Sequence, residues 1–133
     1  MRGKTVGSEE QGVKMEKPHK KLEAWKQSMD LVIEIYRTTE NFPSQEIYGL
    51  TNQIRRAVVS IPSNIAEGAA RQTKKEFSNY LHMAQGSLSE LDTQLELAYR
   101  LGFLPETSWR ELDSRMVEID KMLTGLIRHL AKK

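Results

Sequence analysis

Apolar residues recur along most of this chain at intervals of three and four, the spacing of helices that bury one face. The first such segment begins at Leu22, with apolar residues at positions 22, 25, 29, 32 and 36. Pro43 disfavours helical geometry in the residue before it, so this helix is predicted to end near Asn41. Leu31 and Ile35 lie on the flank of the apolar stripe. We expect a lone bundle to leave them exposed, which predicts an interface between identical subunits.

A second helix is predicted from about Leu50 onwards. Its inward-facing residues are expected to be Ile54, Ala57, Val58, Ile61 and Ile65. Pro62 lies within this pattern, where it removes a hydrogen bond to the carbonyl of Val58 and crowds the preceding turn. The pattern therefore predicts a kink or a break at Pro62, with the hydroxyl of Ser60 or Ser63 satisfying freed backbone groups.

The third helix has the clearest start, because Thr73 to Glu76 forms a capping box in which threonine and glutamate satisfy each other's free amides. Its seam is then Phe77, Leu81, Ala84, Leu88, Leu91, Leu95 and Ala98. Gly102 stands where a left-handed residue ends a helix. A fourth helix is predicted to open either at Pro105 or at a second capping box, Ser108–Glu111. Its seam is Leu112, Met116, Ile119, Leu123, Leu126 and Leu130.

Four seamed helices with short connections predict an all-α fold, an antiparallel up-down-up-down four-helix bundle. The bundle is expected to span residues 21–133. Residues 1–20 are polar, carry three glycines and lack periodicity, so we expect a flexible tail there. A chain of 133 residues fits one domain and buries a sufficient core without disulfides or metals.

Composition narrows the class of protein further. The chain contains no cysteine, which excludes disulfides and thiolate chemistry. No window approaches the roughly 20 apolar residues that a membrane span needs, and the N-terminal segment does not resemble a secretory signal. We therefore expect a cytoplasmic protein that does not contact a membrane.

The net charge of +2 conceals an uneven distribution. Between Asn52 and Phe77 the chain has five basic and two acidic residues, whereas between Leu88 and Asp120 it has three basic and eight acidic residues. The basic residues are Arg55, Arg56, Arg71, Lys74 and Lys75. Lysine in the first turn of a helix opposes the helix dipole, a local conflict of the kind that binding sites show. The cluster is therefore predicted to bind a polyanion or an acidic partner, and a plain solvated face is the alternative.

No group of residues in the sequence forms a catalytic constellation. No two histidines are spaced to share a helical metal site, no motif of an activated nucleophile surrounds any serine, and no glycine-rich phosphate loop is present. We expect no enzymatic activity, no catalytic residues, no metal and no cofactor. Trp25 and Trp109 occupy seam positions and are predicted to pack in the core, and Gly86 is expected to let a neighbouring backbone approach closely.

Four stretches of sequence carry a resemblance to a known family. They are LEAWK from Leu22, YGLTNQIRRA from Tyr48, SIPSNIAEG from Ser60 and GSLSELDTQL from Gly86. Together they resemble the four-helix-bundle proteins encoded in intervening sequences of bacterial 23S ribosomal RNA genes. That family is similar to the accessory variability proteins of diversity-generating retroelements. The resemblance covers about Leu22 to the C-terminus.

The resemblance implies a homopentameric ring of bundles that binds RNA or DNA and has no catalytic activity. A ring would also repeat the basic cluster around an axis, and a repeated cluster attracts a polyanion more strongly than a single one. The sequence thus predicts a non-enzymatic, oligomeric nucleic-acid-binding bundle. The alternative is a protein-interaction adaptor, for example an accessory partner of a retroelement reverse transcriptase.

Overall fold

The structure is a computed structural model that describes residues 17–132. Four long helices follow one another: α1 (Glu23–Thr39), α2 (Leu50–Ala69), α3 (Lys74–Arg100) and α4 (Glu106–Ala131). Short 3₁₀ helices at Pro18–Lys21 and Ser44–Glu46 precede α1 and α2, and residues 17–132 contain no strand. The described part of the chain is therefore all-helical, consistent with the predicted four-helix bundle.

The predicted flexible tail covers residues 1–20, of which residues 1–16 lie outside the described part of the chain. The 3₁₀ helix Pro18–Lys21 packs against both α1 and α2. The His19 ring meets the Trp25 ring edge to face, with 5.0 Å between their centroids. The folded unit thus begins before Leu22.

One apolar core fills the space between the four helices. Each helix packs against the next along the chain, and α4 also packs against α1. The largest side chains buried in this core are Leu31, Ile35, Ile54, Ile61, Ile65, Leu81, Leu91, Leu95, Leu112, Ile119 and Leu123. Trp25 and Trp109 are partly buried against it, as their seam positions predict.

The prediction that Leu31 and Ile35 are exposed interface residues is wrong. Both are 0% exposed within a single chain, because α1 turns a different row toward the core. The buried row of α1 is Ala24, Ser28, Leu31, Ile35 and Thr39. Three of its five members are small or polar, so a pattern of large apolar residues does not reveal which row is buried. The exposed apolar residues of α1 are Met29, Ile33 and Tyr36, a set that we call the outer apolar row.

Helix α2 passes through Pro62 without a break, so the break that the sequence suggested does not occur. The flanking serines do bond to backbone carbonyls: Ser60 Oγ donates to Ala57 at 2.7 Å, and Ser63 Oγ donates to Val59 at 2.9 Å. Neither hydroxyl reaches the Val58 carbonyl, whose helical partner Pro62 removes. Pro62 itself is buried, and its ring contributes to the core.

The C-terminus of α3 follows the predicted rule, whereas the N-terminus forms only half of the predicted capping box, because the Glu76 carboxylate bonds to the Thr73 hydroxyl and not to the Thr73 N–H. Thr73 Oγ1 accepts from the backbone N–H of Glu76 at 3.1 Å, and its hydroxyl donates to the Glu76 carboxylate at 3.0 Å. Gly102 has a φ of 83°. The N–H of Phe103 bonds to Ala98 at 2.9 Å and the N–H of Gly102 bonds to Tyr99 at 3.0 Å. These two bonds are the Schellman arrangement that satisfies the last carbonyls of a helix.

Helix α4 opens at the first of the two predicted places. Pro105 is its N-cap residue and Glu106 its first helical residue, so Ser108 lies inside the first turn and does not cap the helix. The Trp109 indole stacks on the Tyr99 ring, with centroids 4.2 Å apart and planes 12° apart. This stack joins the start of α4 to the end of α3.

The close helix approach occurs at Gly68 and not, as predicted, at Gly86. A Cβ atom added to Gly68 would lie 2.7 Å from Tyr80 Cβ and 3.0 Å from Phe77 Cδ1. Helix α3 can pack this closely on α2 only because residue 68 has no side chain. Gly86 is exposed, and an added Cβ would meet nothing within 4 Å.

Candidate nucleic-acid interface

The five predicted basic residues form two groups. Arg55 and Arg56 lie in the second turn of α2, whereas Arg71, Lys74 and Lys75 lie where α2 ends and α3 begins. The groups are separated by most of the length of α2, about 20 Å at 1.5 Å per residue. The structure therefore does not bring the five side chains together at one end of the bundle.

Arg55 is partly buried and bonded to α1. Its Nε donates to Thr39 Oγ1 at 2.9 Å, and its Nη2 donates to the carbonyl of Tyr36 at 3.3 Å. The guanidinium also lies over the Tyr36 ring, 4.6 Å from the centroid. A cation at the last turn of a helix is favourable, so Arg55 stabilises the end of α1 and fixes α2 against it.

Arg71 is also held by its neighbours. Its Nη2 lies 2.8 Å from the Glu67 carboxylate and 2.8 Å from the Tyr80 hydroxyl. The guanidinium lies 5.0 Å from the centroid of the Tyr80 ring. Arg71 therefore joins α2 to α3, and part of its charge is neutralised within the chain.

The remaining three cations are exposed: Arg56, Lys74 and Lys75. None of them has a hydrogen bond or an ion pair to another described residue. Lys74 and Lys75 occupy the first turn of α3, where the helix dipole disfavours positive charge. These three side chains are the ones that remain available to an external anion.

A groove opens beside Arg55 and Arg56 on the outer side of α1 and α2. We call it the aromatic groove, and its volume is about 800 Å³. Its apolar lining is Tyr36, Ile47, Tyr48 and Val59, and its uncharged polar lining is Asn52, Ser60 and Ser63. The two arginines complete the lining, which contains no acidic residue.

Tyr48 is 93% exposed, the largest exposed fraction among the large apolar and aromatic residues of residues 17–132. The segment that carries it is fixed at both ends. Glu46 Oε1 accepts from the N–H of Leu50 at 3.2 Å, and the Glu46 carbonyl accepts from the N–H of Gly49 at 2.9 Å. Because the backbone is pinned by these bonds, Ile47 and Tyr48 are held outside the core.

The sequence-based prediction named the arginines of this groove but not its aromatic residues. Ile47 and Tyr48 stand between Pro43 and Leu50, outside every helical seam. Two bulky residues in a short connection, with no seam to join, were the signal that could have identified the groove.

Three acidic residues lie close together on α3 and α4. Asp92 and Glu96 lie on α3, and Asp113 lies on α4. Partial burial, together with the carboxylates of Asp113 and Glu96, raises the pKa of Asp92 above its ordinary value. Like charges are therefore crowded here, whereas the lining of the aromatic groove contains no acidic residue.

Within the described residues, no group of three or more histidine, aspartate or glutamate side chains could hold a metal ion. None of the helices in this part of the chain is both long enough and apolar enough to cross a membrane. His82 and His129 are exposed on α3 and α4.

The fold and the groove together define a small four-helix protein with an open, arginine-lined surface. The chain belongs to the 23S rRNA-intervening sequence protein family, whose sequence profile matches residues 20–125. A crystal structure from Bacteroides thetaiotaomicron, described as a protein of unknown function from the S23 ribosomal protein family, is similar at a TM-score of 0.73 and 24% identity. The match covers 79% of this chain and 95% of that one. No curated protein matches the chain.

Proposed function

We propose that the protein is a non-enzymatic bundle that binds single-stranded RNA or DNA through the outer side of α2. The observation that carries this proposal is the aromatic groove, which combines two arginines and two tyrosines and has no acidic lining residue. Proteins that bind single strands combine positive charge along the backbone path with aromatic side chains on which bases stack. Duplex bases are already stacked on each other, so an exposed ring such as Tyr48 favours an unpaired strand.

The two groups of cations have different roles in this proposal. Arg56 stands at the groove and contacts the phosphate beside a base stacked on Tyr48. Lys74 and Lys75 extend the contact about 20 Å along α2, the span of several nucleotides of strand. Arg55 acts indirectly, because its bonds to α1 hold the Tyr36 side of the groove in place.

Self-association is the second part of the proposal: an antiparallel up-down-up-down bundle that assembles into a ring, with five subunits by family resemblance. Contacts between neighbouring helices support the antiparallel order. Gly68, late in α2, meets Phe77, early in α3, and Gln85 of α3 bonds Thr124, late in α4, at 3.0 Å. The outer apolar row supports the assembly, because an apolar row without a partner marks an interaction surface.

The test of nucleic-acid binding is a charge reversal that spares the fold. The variant replaces Arg56, Lys74 and Lys75 by glutamate and leaves Arg55 in place because it bonds α1. We expect this variant to lose binding to a labelled single-stranded oligonucleotide in fluorescence anisotropy while its circular dichroism stays unchanged. The matched control reverses three exposed cations of α4, namely Arg115, Lys121 and Arg128, and should bind nearly as the wild type does.

Two further measurements distinguish the contribution of base stacking to the affinity from the contribution of positive charge. Tyr48→Ala is expected to weaken binding about tenfold with no change in salt dependence, because stacking releases no counterions. Arg56→Ala is expected to lower the slope of log affinity against log salt by about 1. Unchanged binding of the triple variant would show that this surface is only solvated.

The adaptor is the second candidate, and the apolar part of the aromatic groove is the observation that favours it. In this case the protein would be the accessory partner of a retroelement reverse transcriptase or of another acidic protein. Its binding would depend on the fit of Ile47 and Val59 and only weakly on salt, whereas binding to phosphates weakens steeply with salt. Salt-insensitive capture of a protein, with no binding to any oligonucleotide, would favour the adaptor.

A further inference from the structure

A second opening lies on the other side of Arg56, between α2 and α3. We call it the polar cleft, and its volume is about 410 Å³. Its polar lining is Gln53, Arg56 and Ser60 from α2 with Ser87, Glu90 and Gln94 from α3. The hydroxyl oxygens of Ser60 and Ser87 lie 2.6 Å apart and join the two helices across it. The cleft therefore has a fixed wall of hydrogen-bonding groups.

Gln94 is the unusual member of this wall. Its side chain is only 7% exposed, and its Oε1 accepts no hydrogen bond from any described residue. Buried polar groups almost always have a partner, and a buried acceptor without one needs an explanation. The amide of Gln94 is thus suited to a group that enters the cleft.

Arg56 and Glu90 are both exposed and both line the cleft, yet no ion pair joins them or ties either to another described residue. The guanidinium of Arg56 can therefore donate hydrogen bonds to a ligand, and the carboxylate of Glu90 can accept them, without first breaking an ion pair. A ligand that offers acceptors to Arg56 and donors to Glu90 would satisfy both at once.

We propose that the polar cleft binds the edge of an unpaired guanine base; the proposal rests on the proposed function, because the base belongs to a strand held on the outer side of α2. Guanine presents acceptors O6 and N7 on one edge, which match the two parallel N–H groups of an arginine. Its N1–H and N2–H groups are adjacent donors on the next edge, and they match the two oxygens of the Glu90 carboxylate. The amides of Gln53 and Gln94 supply the remaining donors and acceptors.

The other bases fit this set less well. Adenine presents the acceptor N1 where guanine presents a donor, so the Glu90 carboxylate would meet a lone pair. Uracil has a single N–H donor and cytosine has an acceptor at N3, so neither offers two adjacent donors to a carboxylate. Glu90 therefore disfavours the other three bases, because its carboxylate accepts hydrogen bonds only and none of them offers it two adjacent donors.

The position of the cleft connects it to the aromatic groove. Arg56 and Ser60 line both openings, which lie on the two sides of the outward face of α2. A strand that stacks one base on Tyr48 can place a neighbouring base in the polar cleft, with Arg56 between the two. Stacking would then supply affinity for any base, and the cleft would supply a preference for guanine.

The test compares three labelled uridine oligonucleotides that carry one central guanine, hypoxanthine or adenine, measured by fluorescence anisotropy. We expect the guanine oligonucleotide to bind about tenfold more tightly than the adenine one, as one bidentate base contact allows. Hypoxanthine lacks the N2 amine and should fall between them. Glu90→Gln should bring the guanine and hypoxanthine affinities within about twofold of each other and narrow their lead over adenine, because only the Arg56 contact to O6 and N7 then separates the bases.

The control for Glu90→Gln is Glu111→Gln, the same change at an exposed glutamate of α4. It removes the same charge and should retain the guanine preference. If the wild type binds all three oligonucleotides equally, the guanine proposal is overturned while the proposed function stands.

A second measurement tests the cleft without a strand. Guanosine 5′-monophosphate, titrated into the isotope-labelled protein, should shift the side-chain amide signals of Gln53 and Gln94, and adenosine 5′-monophosphate should not. If no oligonucleotide binds but guanosine monophosphate shifts these signals, the proposed function fails and the cleft binds the free nucleotide. The absence of both effects would overturn both proposals.

Discussion

At the scale of single residues, two glycines within helices differ in whether packing requires them. Gly68 is buried where α3 packs on α2, and a methyl group there would lie 2.7 Å from Tyr80 Cβ. Gly86 is exposed in the middle of α3 and has open space around it. The sequence places both in helical patterns, and only the distance to a neighbouring helix distinguishes them.

Substituting alanine at each glycine is expected to change stability in opposite directions. Gly68→Ala should lower the free energy of unfolding by about 1–3 kcal/mol, because α3 must move away from α2. Gly86→Ala should raise it by about 0.5–1 kcal/mol, because alanine loses less backbone entropy in a helix. Urea denaturation followed by circular dichroism measures both. A neutral Gly68 variant would mean that Phe77 and Tyr80 can shift without cost.

The sequence predicted which residues give the candidate site its charge. It did not predict which of their side chains are free to bind a ligand. Arg55 and Arg56 lie on α2, Arg71 lies in the connection that follows it, and Lys74 and Lys75 lie in the first turn of α3. Arg55 and Arg71, however, are bonded to Thr39 and Tyr80, residues that are 16 and 9 positions away in the chain. Such partners become neighbours only through packing, and the sequence shows only the Glu67 partner of Arg71, which lies four positions before it.

At the scale of elements, the helices were predicted well where their signals were local. The capping interaction of Thr73 and the left-handed Gly102 depend on residues within one turn, and both were confirmed. Helix α1 shows that local signals do not determine which face of a helix is buried. It has one apolar row ending at Tyr36 and a second row that includes Ser28 and Thr39, and only the arrangement of α2 and α4 decides which row is buried. The prediction chose the first row, and the second is in the core.

Pro62 provides a test at this scale, because α2 continues through it. Pro62→Ala is expected to change the free energy of unfolding by no more than about 1 kcal/mol in either direction. The alanine restores an N–H for the Val58 carbonyl and improves helix propensity, and these gains offset the lost burial of the proline ring. A loss of several kcal/mol in a denaturant titration would show that packing requires the shape of the helix at Pro62.

At the scale of the whole molecule, the exposed apolar surface of α1 is the outer apolar row. The sequence had suggested that Leu31 and Ile35 form this surface, but both are buried. We expect Met29→Glu with Ile33→Glu to dissociate the proposed assembly while the protein stays helical, because both residues lie on the outer apolar row. Leu31→Glu with Ile35→Glu should instead unfold the protein, because it buries two charges in the core. Light scattering gives the mass of each variant and circular dichroism its helicity.

A monomeric wild type at micromolar concentration would contradict the proposed assembly. So would a Met29 and Ile33 double variant that keeps the mass of the wild type. The Leu31 and Ile35 variant serves as the comparison. It introduces the same two glutamates on the same helix, but on the buried row instead of the outer apolar row.

The open surface around Gly86 has a spectroscopic consequence. The chain has no cysteine, so Gly86→Cys would place a single thiol on each subunit at a position with room for a spin label. In a closed ring of identical subunits, the distances between equivalent labels depend only on the number of subunits and the radius. Five subunits give two distances in a ratio of about 1.6, four give a ratio of about 1.4, and three give a single distance. Pulsed electron paramagnetic resonance at residue 86 would therefore count the subunits directly in solution.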